Sequence, residues 1–96
     1  METENALIKD VYLGLEDHNI LTYNISLDYG GSGQGFGNYN CNENLSTHLK
    51  PLLAVFDVRE FNKLKGLPCR VKRENGMVVA IGHIINNVWF EPRKLI

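Results

Sequence analysis

A chain of 96 residues with 44% hydrophobic and 22% charged content reads as a single globular domain, 1–96, with a thin stability margin. Ten Lys and Arg against eleven Asp and Glu, a net charge of −1, exclude the strongly basic face of a general duplex-DNA binder and the heavy acidity of a nucleic-acid mimic, and leave room for a local basic patch. No apolar run approaches the roughly 20 residues of a membrane helix, the Met1–Asn5 start is acidic rather than basic, and Cys41 and Cys69 fall outside any CxxC spacing, so a cytosolic setting with reduced thiols is expected.

Residues 6–15, ALIKDVYLGL, are apolar with breaks at Lys9, Asp10 and Gly14, which predicts a first strand bulged near Lys9-Asp10. Glu16 to Asn19 read as a turn, because Asp and Asn bond locally to backbone and tolerate left-handed geometry. From Ile20 to Tyr29 the alternation is strict: Leu21, Tyr23, Ile25, Leu27 and Tyr29 are apolar, and Thr22, Asn24, Ser26 and Asp28 are polar. This predicts a strand with one wet face, paired antiparallel with the first. The stretch GGSGQGFG, Gly30 to Gly37, follows directly, with Phe36 and Tyr39 at its exit and room there for a short third strand. Residues 38–44 read as loop. Leu45, Leu49, Leu52, Leu53 and Phe56 trace one helical face, capped by Asn44 or Ser46, and Pro51 makes the helix either begin near Leu49 or kink there. Asp57 to Gly66 reads as a single capped turn with Asp57 leading and Gly66 closing. Beyond it, CRVKRE and MVVAIGHII flank Asn75-Gly76, the strongest short hairpin signal, since a type I′ turn needs positive φ at both central residues. Asn86-Asn87 turns the chain into VWF, and Pro92 ends that strand.

These elements predict an α+β fold: an antiparallel, meander-like sheet with one helix, Leu45 to Phe56, packed on one face. The expected core draws on Leu21 or its face partners Tyr23, Ile25 and Leu27, with Leu49, Leu53, Phe56, Val71, Val79, Ile81 and Trp89.

Five of the nine glycines lie in GGSGQGFG. The well-specified strand before it and the aromatics after it argue against a floppy linker. Two readings stay open: a turn or bulge whose glycines take positive φ or admit a neighbouring backbone, and a nest of backbone N–H groups that meets an anion. No Lys-Ser/Thr follows and no long helix starts at its end, so neither a phosphate loop nor a dinucleotide fingerprint applies. Glu16, Asp17 and His18 are turn chemistry, with no second ligand set at zinc spacing. Nothing brings His48, His83 and Cys41 together as nucleophile and base. No catalytic residue, metal or cofactor is therefore expected. The basic residues of interest are Arg70, Lys72 and Arg73, of which Arg70 and Lys72 share a strand face opposite Val71; that face is either solvated or an anion patch. At least one of Trp89 and Phe90 belongs in the core, and the other is a candidate to stack on a base or a partner.

LGLEDHNILTYNISLDYGGSGQGFGNY and GLPCRVKRENGMVVAIGHIINNVWFEP together resemble a family of small phage and prophage proteins. Its pattern opens on Leu-Gly-x-Glu-Asp-His-Gly-Ile-Leu, centres on Gly-Gly-x-Gly-Gln-Gly-Phe-Gly-Gly-Tyr and closes on a spaced Gly-His and Trp-Phe-x-Pro. Asn19 and Asn38 stand where the pattern has Gly, both residues that accept positive φ. The segment from Tyr39 to Leu49 is shorter than the pattern's. The resemblance implies a phage origin and a place in the host cytosol; it brings no activity with it. Small phage proteins often counter host defences, and two such roles suit this chain. One sequesters an anionic, nucleotide-like immune signal without cleaving it. The other blocks a host defence protein, as anti-CRISPRs do. For the first role the expected contacts are Gly31, Ser32, Gly33, Gln34, Gly35, Phe36, Tyr39, Arg70, Lys72 and Arg73, assembled in a homo-oligomer because so short a chain has little room for a deep pocket of its own.

Overall fold

The computed structural model describes residues 2–37 and 45–94. Six strands form one antiparallel sheet in the order β3-β2-β1-β4-β5-β6. They are β1 (Glu2–Glu16), β2 (Ile20–Tyr29), β3 (Ser32–Gly37), β4 (Pro68–Glu74), β5 (Met77–His83) and β6 (Trp89–Phe90), and helix α1 (Leu45–Phe56) lies in the crossover from β3 to β4. Two three-strand meanders thus sit side by side, joined where Glu2–Leu7 pairs with Pro68–Arg73. The α+β architecture read from the sequence is the observed one.

β1 starts earlier than its apolar run, because Glu2–Leu7 has β4 to pair with and Arg73 bonds both Glu2 and Glu4. Its predicted bulge is present: the register passes from Ile8 opposite Leu27 to Asp10 opposite Ser26, leaving Lys9 over. The extra residue switches parity, so Ile8 faces the core before it and Val11 packs against the core after it. A further bulge falls between Lys72 and Arg73, with Ala80 opposite Lys72 and Val78 opposite Arg73. Val78, not the expected Val79, is consequently the buried residue. The predicted Asn75-Gly76 turn has φ of +54° and +79°.

The core lies between the sheet and α1. Tyr23, Ile25 and Leu27 of β2 meet Ile8, Val71, Ile81 and Phe90 from the other strands and Leu52 and Phe56 from α1. Each such side chain stabilises the fold by about 1.5–3 kcal/mol. Leu49 and Leu53 are only half-buried, and Phe90 takes the core place expected of Trp89. Cys69 is fully buried, and burial pushes its thiol up to about 12, which keeps it protonated and inert.

Pro51 sits inside α1, which neither starts at Leu49 nor is interrupted there. Asp57 does not lead the next turn. It closes α1 in left-handed geometry at φ +53°, and the Val58 amide donates to the Leu53 carbonyl at 3.1 Å. His48, absent from the apolar pattern, is buried with its Nδ1 3.1 Å from the Tyr23 hydroxyl and its ring edge-on to Phe90. Burial lowers its pKa.

Candidate functional site

The glycine stretch is a turn followed by a strand, not a loop. Gly30 and Gly31 form a two-residue turn with φ of +53° and +80°. Ser32 to Gly37 then pair with β2 in unbroken register, from Tyr29 opposite Ser32 to Asn24 opposite Gly37. Gly33 and Gly35 are not in left-handed geometry; only Gly37, at φ +106°, is. An N–H nest needs successive amides turned to one side, and an extended strand alternates them. The candidates Gly31, Ser32, Gly33, Gln34 and Gly35 therefore do not converge as a cradle. Phe36 is buried in the core against Phe90, and Tyr39 lies outside the described residues. Gln34 accepts a hydrogen bond from the Tyr29 hydroxyl at 2.9 Å.

The three cations do not converge either. Arg73 lies on the helix-covered face, where it ion-pairs with Glu2 at 3.0 Å and Glu4 at 2.6 Å and sits 5.3 Å from the Tyr29 ring centre. Arg70 and Lys72 share the opposite face, as their alternation with Val71 predicted, and α1 packs on the other side of the sheet.

Arg70 and Lys72 do meet a partner that the sequence offered only as an option. Trp89 lies opposite Gly82 in the β5–β6 pairing. A Cβ at Gly82 would fall 2.6 Å from the Trp89 Cε3, so the glycine lets the indole lie flat on the strand. Over the ring stand the Lys72 ammonium at 4.1 Å and the Arg70 guanidinium at 4.8 Å. Neither cation has a carboxylate within ion-pair distance among the described residues, in contrast to Arg73.

Arg70 is also a brace. Its Nε donates to the His83 carbonyl and its Nη2 to the Asn86 carbonyl, both at 2.8 Å. From inside the same loop the His83 Nδ1 accepts the Ile85 and Asn86 amides at 3.1 and 3.0 Å. That fixes His83 as the tautomer with its proton on Nε2. Trp89 Nε1 donates to the Asn87 side chain at 3.0 Å, and the Val88 carbonyl accepts the His83 amide at 3.2 Å. This loop, residues 84–88, is held by these bonds yet leaves Ile85 81% exposed, and Val88 is exposed as well. Sequence reasoning finds a turn at Asn86-Asn87 and misses the rest. The signal is the Gly82-His83 pair, a flat place for Trp89 beside a ring able to accept two amides.

His48 and His83 serve separate roles, one in the core and one in this loop. Glu16 to Asn19 form a short turn with His18 and Asn19 at φ +62° and +59°, and no group of three metal-binding side chains occurs among the described residues. No helix among them is long and apolar enough to cross a membrane. Comparison with protein-family models, with curated proteins and with solved structures found no match.

Proposed function

We propose that the chain is a non-catalytic, phage-encoded counter-defence protein that works by binding a host protein, with the loop at residues 84–88 as its anchor. One observation carries the reading: a loop held by the hydrogen bonds of Arg70 and His83 presents a large aliphatic side chain, Ile85, to water. A rigid apolar knob gives up little conformational entropy on docking. Trp and Arg beside it are the residue types most enriched among binding hot spots. Arg70 and Lys72, free of carboxylate partners among the described residues, suit a socket with an acidic rim.

The test is phage plating on a defence-carrying host that expresses the chain. The wild-type chain should restore plating and Ile85→Asp should abolish the effect, while the melting temperature changes little because Ile85 contributes almost no buried area. Leu15, 63% exposed at the far end of β1, supplies the control. If Leu15→Asp abolishes the effect and Ile85→Asp does not, the anchor is misassigned.

An alternative reading rests on Arg70 and Lys72 over Trp89: an anionic, nucleotide-like ligand held without cleavage. Thermal-shift measurements with cyclic nucleotides and ADP-ribose derivatives separate the two. A shift lost in Lys72→Glu and kept in Ile85→Asp favours the ligand.

A further inference from the structure

We propose that β3 is a dimerisation strand, pairing antiparallel with β3 of another copy of this chain across a two-fold axis at Gln34. The hydrogen-bonding pattern of the β2–β3 ladder leaves part of β3 open. A two-residue turn makes its flanking residues, Tyr29 and Ser32, a hydrogen-bonded pair. Alternation along the ladder then gives Leu27–Gln34 and Ile25–Phe36 as the next bonded pairs. Gly33 and Gly35 consequently turn their N–H and C=O away from β2, toward an edge on which no strand pairs among the described residues.

The other edges of the sheet are blunted in recognised ways. β6 is two residues long and is followed by Pro92. The outer edge of β1 beyond β4 carries a bulge at Lys9 and the charges of Lys9, Asp10 and Glu16. β3 has no charge, no proline and no bulge, so among the described residues it lacks those devices that keep an edge from pairing.

Self-complementarity selects another copy of the chain as the occupant. With the axis at Gln34, Gly33 lies opposite the partner's Gly35 and Gly35 opposite the partner's Gly33, and each pair exchanges both backbone bonds. This register uses Gly33 to Gly35, none of them at positive φ, and stops short of Gly37 at φ +106°. On the face away from α1 Gly33 and Gly35 add no side chains to clash. On the other face the two Gln34 amides meet. The Gln34 Oε1 already accepts the Tyr29 hydroxyl, which leaves its NH₂ to donate across the axis. Such an interface is isologous and closes at a dimer.

Sedimentation velocity over a wide concentration range, with amide exchange resolved at Gly33 and Gly35, tests this. The wild-type chain should dimerise with concentration and protect those two amides as it does so. Gln34→Glu places like charges at the axis while still accepting the Tyr29 hydroxyl. Gly35→Pro removes an outward N–H that β2 does not use. Each should weaken the dimer by about tenfold or more without lowering the melting temperature of the monomer in the Gln34→Glu case. Ile85→Asp should leave the dimer intact, so this proposal and the host-binding one fail separately. A wild-type chain that stays monomeric at every concentration, or a dimer that survives both substitutions, overturns it.

Discussion

Gly30 to Gly37 and His83 to Trp89 are stretches of similar length with opposite appearances. The glycine stretch is compositionally extreme and turns out to be regular: a tight turn and a strand in register. The His83 to Trp89 stretch is ordinary in composition and holds a dense set of side-chain hydrogen bonds outside the ladders, with Trp89 pressed on Gly82 and Ile85 held out in water. Glycine enrichment reports where backbone must turn or lie bare. A built surface needs side chains that converge, and convergence comes from register, which composition does not record.

The comparison breaks most sharply at Gly82. Gly82→Val drives a branched side chain into Trp89, whose ring atoms a Cβ would already approach to 2.6 Å. It should cost about 3 kcal/mol in chemical denaturation and release the loop. In the glycine stretch the cost should concentrate at one position. Gly37→Ala meets both a left-handed φ and the Tyr23 ring at 2.8 Å and should lose about 2 kcal/mol. Gly33→Ala, extended and no nearer than 3.4 Å to the Leu27 carbonyl oxygen, should stay within about 0.5 kcal/mol. Equal losses at Gly37 and Gly33 would undo the description of β3 as an ordinary strand. Arg70→Ala removes both bonds to the His83 and Asn86 carbonyls and should cost about 1–2 kcal/mol, with faster amide exchange at Ile85 and Asn86 as the local readout. His48, outside both stretches, gives the smallest effect and a pH dependence. Burial lowers its folded pKa below the ordinary 6.5, so the unfolded chain takes up a proton first. Stability should be full above that value and fall as the pH drops below it, and His48→Asn should flatten the slope seen in melts at stepped pH.

What was legible followed from period and from turn chemistry. β2 announced itself by alternation, the β4–β5 hairpin by Asn75-Gly76, and the bulge in β1 by Lys9-Asp10 interrupting an apolar run. What was missed depended on neighbours. Glu2 to Asn5 resemble a polar tail and are strand because β4 offers them partners. Val79 fits a strand alternation, and one extra residue beside Lys72 hands its place to Val78. Asp57 has the chemistry of a helix start and serves as a helix stop, since an Asx residue tolerates the left-handed geometry that closes α1. Of the expected contacts, Arg70 and Lys72 are together and Arg73 is across the sheet. No spacing rule separates them, because a strand assigns faces by parity and the two acids on β1 then hold Arg73 where parity puts it.

The seam between the two meanders also sets an order of events. The turns that close β1–β2, β2–β3 and β4–β5 join near neighbours in sequence, whereas pairing Glu2 with Arg73 closes about three quarters of the chain into one loop. Closure entropy grows with loop length, and hairpins form in microseconds. The hairpins should therefore arise early, each too small to persist alone, and the search that limits the folding rate is the one that brings the first half of β1 to β4. A substitution that weakens that pairing, such as Glu4→Ala beside Arg73, would then slow folding more than it speeds unfolding.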